Sequence, residues 1–139
     1  MRPRHRARAL AVRVLFQTDP PTADWRGALA YQLAEEGLPA EAAAFAEELV
    51  ALVETNGVEI DRLISEGSVH WTLDQMGKVE RSVLRLATGE MLLRRQDPVP
   101  VVIDEAVRLA KELGGDEAGR FVNGVLGRLA RGAGVGGAG

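Results

Sequence analysis

Any chemistry in this chain has to come from arginines, carboxylates and six aromatic rings. Cysteine is absent, and the two histidines, His5 and His70, stand far apart, so neither a thiolate nor a histidine-based metal set assembles. No G-x-x-x-x-G-K-[ST] phosphate loop, G-x-G-x-x-G turn or G-x-S-x-G elbow occurs. The adjacent acids Glu35-Glu36 and Glu47-Glu48 point about 100° apart on a helix, so each pair diverges instead of converging on a substrate. They read as solvated faces. Glu90 differs, because it falls inside the apolar stripe of Val79, Val83, Leu86 and Ala87. A poised acid is one reading; a buried carboxylate satisfied by arginine or backbone donors is the other, and the one expected here. These absences point to a binding protein with no enzymatic activity, no cofactor and no metal.

The cations are more informative. Arg2, Arg4, Arg6, Arg8 and Arg13 fall in the first thirteen residues with no acid among them, so in a chain of net charge −3 the remainder carries −8. A basic arm on an acidic body suits local binding of a polyanion, the alternative being a solvated terminus. Three further features stand outside the core stripes. The opening helix carries a second apolar strip, Ala9, Val12 and Phe16, which makes it either central in the fold or the seat of a partner. Glu80 sits beside Leu84 and Met91 as a mixed contact patch. Phe121 lies at a stripe edge near Arg120 and Arg128, the setting for stacking on an unpaired base, with core packing as the alternative.

Helices must position these residues, since apolar spacing is helical throughout and no period-two alternation appears. The chain is expected to be all-α with about seven helices. The first runs from Pro3 to Thr18, burying Ala7, Leu10, Ala11, Val14 and Leu15, and ends at Asp19-Pro20-Pro21. Asp24 caps the second, which Gly37 ends. The third starts at Pro39, buries Phe45, Leu49, Leu52 and Val53, and closes at Asn56-Gly57. A short fourth carries Ile60, Leu63 and Ile64, with a looser stretch from Gly67 to Thr72. The fifth spans Leu73 or Val79 to Arg95. The sixth runs from Pro100 to Leu113 with Gly114 as cap, and the seventh from Glu117 to Ala130. The glycine-rich tail 132–139 is expected to be disordered. No apolar run is long enough for a secretory leader or a membrane span, which places the chain in the cytoplasm.

Together RHRARALAVRVLFQTD, VERSVLRLATGEM, VPVVIDEAVRLAKELG and above all FVNGVL, Phe121 to Leu126, resemble the NusB family of bacterial transcription antitermination factors. The resemblance extends from Arg4 to about Ala130, with FVNGVL and EAVRLAK the most specific segments. It implies two helical bundles packed across one another within one domain, 1–131, divided into 1–57 and 58–131. It also implies an RNA-binding adaptor that pairs with NusE, the ribosomal small-subunit protein. The pair would capture single-stranded boxA RNA of ribosomal RNA operons and help an RNA polymerase antitermination complex resist termination. By this resemblance Arg4, Arg6, Arg8, Lys111, Arg120 and Phe121 face RNA, and Phe16, Asp74 and Glu80 face NusE. Asp104 stands where the family usually has Asn, and Gly89 where a bulkier residue is usual.

Two rivals belong to other classes. An RNA methyltransferase carrying such a helical domain would need an α/β nucleotide-binding domain, for which this chain has neither length nor glycine-rich loop. A helical interaction module, or a homodimer formed through Val12 and Phe16, would bind no RNA.

Overall fold

The computed structural model describes residues 2–19 and 24–134. Every described element is helical: α1 Pro3–Gln17, α2 Trp25–Glu36, α3 Ala40–Thr55, α4 Gly57–Gly67, α5 Lys78–Thr88, α6 Val99–Gly114 and α7 Asp116–Gly132. A 3-10 turn, Leu73–Gln75, precedes α5, and a π-helical stretch, Gly89–Arg94, prolongs it.

Local chemistry accounts for most ends. Pro3 opens α1, where its missing N–H costs nothing. The Asp24 carboxylate accepts the Gly27 N–H at the start of α2, and Gly37 ends that helix at φ 63. Helix α3 closes at Asn56 as expected, and α4 begins directly after it at Gly57. Two boundaries depart from expectation. Gly114 is the last residue of α6, and Gly115, at φ 90, is its cap. Helix α7 continues through Gly132 and a turn at 133–134, so the start of the expected disordered tail is ordered. Residues 135–139 of that tail, and the Pro20-Pro21 break, lie outside the described residues.

The π-helical stretch is the main local surprise. The Arg95 N–H donates to the Glu90 carbonyl, five residues back, at 2.8 Å, and Arg95 itself turns left-handed at φ 55. Such wide turns re-aim side chains. Glu90, at the start of this stretch, is buried.

Helix α1 is the central element. It packs against α2 and α3 on one side and α5 on another, while α4, α5, α6 and α7 pack among themselves, giving two bundles joined through α1, α3 and α5. Ala7, Leu10, Ala11, Val12, Val14 and Leu15 are all buried, so the apolar character of two sides of α1 is satisfied internally. Gly67 lets α4 approach α7: a Cβ there would lie 2.5 Å from Leu129 Cγ. None of the described helices is long and apolar enough to cross a membrane.

Candidate nucleic-acid interface

The arginines of α1 do not form a free arm. Arg8 is 3% exposed; its Nε and Nη2 donate to the two oxygens of Glu90 at 2.9 Å each, and Nη2 also reaches Asp97 at 3.1 Å. Burial works against its charge, but the Glu90 hydrogen bond and the charges of Glu90, Asp97 and Glu105 outweigh it, raising the guanidinium pKa. Arg8 is therefore not presented to RNA: its side chain is buried, and Nε and Nη2 are held by Glu90 and Asp97. The helical pattern contained the signal, because residue 8 lies three before Ala11 and seven before Leu15, on the buried stripe. Glu90 is the buried, arginine-paired carboxylate that its position in the stripe of α5 required.

Arg4 sits at the rim of the same cluster, its side chain 51% exposed. Its Nη2 donates to Asp97 at 2.5 Å, and its guanidinium lies 3.9 Å from the centre of the Phe45 ring. Arg94 joins the cluster through Glu48 and Asp97 and also faces Phe45. Arg6 donates to the Glu36 carbonyl at the end of α2. His5, which no sequence pattern singled out, is buried; its Nδ1 lies 2.5 Å from Glu105 and its Nε2 3.3 Å from Glu112. That contact fastens the start of α1 across α6, one residue from Lys111.

At the corner between α6 and α7 the cations are free. Lys111 and Arg120 are exposed and have no ion-pair partner among the described residues. The Lys111 stem crosses Gly119, where a Cβ would lie 2.5 Å from Lys111 Cγ, so the glycine makes room for it. Asp116 and Glu117 occupy the first turn of α7, where their charge complements the helix N-terminus. Phe121 is half-buried against the core and meets Trp71 edge-to-face, ring centres 6.3 Å apart and planes at 88°. It is thus neither fully core nor fully available. Trp71 had not been singled out in the sequence.

The three residues expected to face a protein partner lie on α1, the 3-10 turn and α5. Phe16 is 39% exposed at the end of α1, with the Lys78 ammonium 4.4 Å from its ring centre. Arg81 ties this region together, donating to Asp19 at 2.7 Å and to the carbonyls of Leu73 and Met76. Asp74 is exposed on the 3-10 turn; Glu80 is half-buried with its carboxylate against Gly77. Two expectations fail here. Leu84 and Met91 are core residues, so Glu80 is not part of a mixed patch with them. Val12 is 1% exposed, so no Val12–Phe16 strip exists for a homodimer to use.

A family model, described as the NusB family, matches residues 5–131. Among curated relatives, the transcription antitermination protein NusB of Roseiflexus castenholzii is 39% identical over 91% of this chain and 90% of its own. That of Myxococcus xanthus is 41% identical over 91% of this chain and 94% of its own. Among solved structures, one described as "T. maritima NusB" superposes with a TM-score of 0.85 at 36% identity, covering 94% of this chain and 92% of that one. A chain from the crystal structure of antitermination factors NusB and NusE in complex with dsRNA superposes at 0.87 with 29% identity, covering 95% of this chain and 98% of that one. With a match this long and relatives this similar, the chain belongs to the NusB family.

Proposed function

We propose that this chain is a transcription antitermination factor, an RNA-binding adaptor that acts with NusE on boxA RNA and helps make RNA polymerase termination-resistant. Its work is binding, with no catalytic step, in the bacterial cytoplasm where nascent RNA is made. Residues 1–131 form the working unit, with 1–57 and 58–131 as its two bundles. The observation that carries the reading is the family match over residues 5–131. Arg4, Arg6, Lys111, Arg120 and Phe121 supply cations and an aromatic ring for RNA. Phe16, Asp74 and Glu80 supply an apolar anchor with an acidic rim for NusE.

Calorimetry with purified NusE, with and without a short single-stranded boxA RNA, tests this. The chain is expected to bind NusE, and the pair to hold the RNA more tightly than the chain alone. Phe16→Ala should weaken NusE binding by about 2 kcal/mol if the ring is fully desolvated on binding. Unchanged NusE affinity in both Phe16→Ala and Glu80→Ala would move the partner face elsewhere, and absence of RNA binding by the pair would overturn the function.

A further inference from the structure

We propose that Trp71 is the base-stacking residue of the RNA interface, with Phe121 as the wall beside it; the inference rests on the antitermination reading above. Trp71 lies between α4 and the 3-10 turn and is 51% exposed. Its backbone is pinned on both sides. The Ser68 hydroxyl donates to the Trp71 carbonyl at 2.8 Å, and Thr72, the next residue, shares a reciprocal cap with Gln75. An indole held in water by a rigid backbone loses little conformational freedom when something stacks on it.

The geometry of the pair divides the work between its rings. At 88° the two planes cannot both lie parallel to one base. Phe121 is half-buried and packed against the core, whereas half of Trp71 is open. A base therefore stacks on Trp71 and meets Phe121 from the side. Cations suited to the flanking phosphates stand close by. Arg120 precedes Phe121 in sequence and is exposed. Arg128 lies seven residues after Phe121, on the same face of α7, with its Nη1 3.5 Å from the Gly67 carbonyl just ahead of Trp71. Stacking of this kind accepts any unpaired base, because every base offers a π-face.

The experiment uses the indole as its own reporter. The chain has two tryptophans, and Trp25 lies on α2 with Arg26 over its ring, so Trp25→Phe leaves Trp71 as the only indole of the chain. That variant, saturated with NusE, is titrated with the single-stranded boxA RNA and with a duplex of the same sequence. Quenching that follows the single-strand binding curve, and is absent with the duplex and with NusE alone, is the expected result. In parallel, Trp71→Ala should weaken single-strand binding about 5- to 150-fold with the salt dependence unchanged. Trp71→Phe should recover most of that loss, and Phe121→Ala should lose less than Trp71→Ala. Normal RNA binding with an unquenched indole overturns the proposal, and if Trp71→Ala does not fold, the quenching alone decides. A change of emission on adding NusE without RNA overturns it in favour of a protein contact. No RNA binding by the unmodified chain with NusE overturns the antitermination reading and this inference with it.

Discussion

The start of α1 and the corner between α6 and α7 both carry cations, and the fold uses them in opposite ways. In α1, Arg8 is sunk among Glu90 and Asp97, Arg4 leans on Asp97 and the face of Phe45, and Arg6 holds the end of α2. At the corner, Lys111 and Arg120 stand in water and form no ion pair with any described residue. The arginine-rich stretch looked like the stronger polyanion site because counting charge along the chain ignores where the acids fold to. Glu90 and Asp97, more than eighty residues away in sequence, consume one arginine and occupy another. A charge already paired has to give up its partner before it meets a phosphate. An unpaired one gives up only water.

The contrast predicts which substitutions trade stability and which trade RNA affinity. Glu90→Ala should have the largest effect, about 3–5 kcal/mol of stability, because it leaves the Arg8 guanidinium in the interior with Asp97 as its remaining hydrogen-bond partner. Denaturant unfolding measures the loss, and RNA affinity per folded molecule should stay the same. RNA binding that collapsed while stability held would put Glu90 in the interface and break the comparison.

Arg4→Gln should act on both quantities at once. Losing its half-exposed pair with Asp97 should lower stability by about 1 kcal/mol or less. If Arg4 also meets a phosphate, the slope of log K against log salt should shrink by about 0.7. A full loss of slope without any change in melting would mean that Arg4 belongs with the corner and not with the cluster. Arg120→Gln is the clean opposite of Glu90→Ala. Its thermal melt should be unchanged, and the salt slope should again fall by about 0.7 for all RNA sequences alike.

The smallest effect is expected at a pair outside both regions. The side-chain hydrogen bond from Arg62 holds the exposed Glu59 carboxyl below its ordinary value of 4.5. A depressed folded-state pKa contributes stability above the unfolded value and loses it as pH falls through the folded one. Glu59→Gln should therefore be slightly less stable than the parent in neutral solution, with the difference vanishing in acid. A clear destabilisation at all pH values would show that Glu59 does more than pair with Arg62 on the surface.

Much of the architecture was legible because helix formation is a local affair. The stripe Ala7, Leu10, Ala11, Val14 and Leu15, the Asp24 cap and the Gly37 stop each involve residues a turn apart, and each appears in the fold. Glu90 was legible for the same reason, since an acid inside an apolar stripe requires a donor. The π-helical stretch was not, because Gly89–Arg94 has the spacing of an ordinary helix, and only Arg95 turning left-handed beneath Glu90 distinguishes it. The exposure of Trp71 was not legible either, because it sits between helices, where periodicity says nothing about exposure.

By itself the sequence determined the helical class, the order of the helices, the family through FVNGVL and EAVRLAK, and the need for a cation beside Glu90. Those properties depend on neighbours within a turn or two, or on the identity of a contiguous motif. Tertiary structure alone decided that the cation is Arg8, that Asp97 answers Arg4, that Val12 is core and Phe16 is surface, and that Trp71 stands against Phe121. Each of these joins segments far apart in the chain or turns on which face of α1 a neighbour covers. Charge and apolarity written along the sequence are only potentials for contact, and packing chooses the partner that realises them.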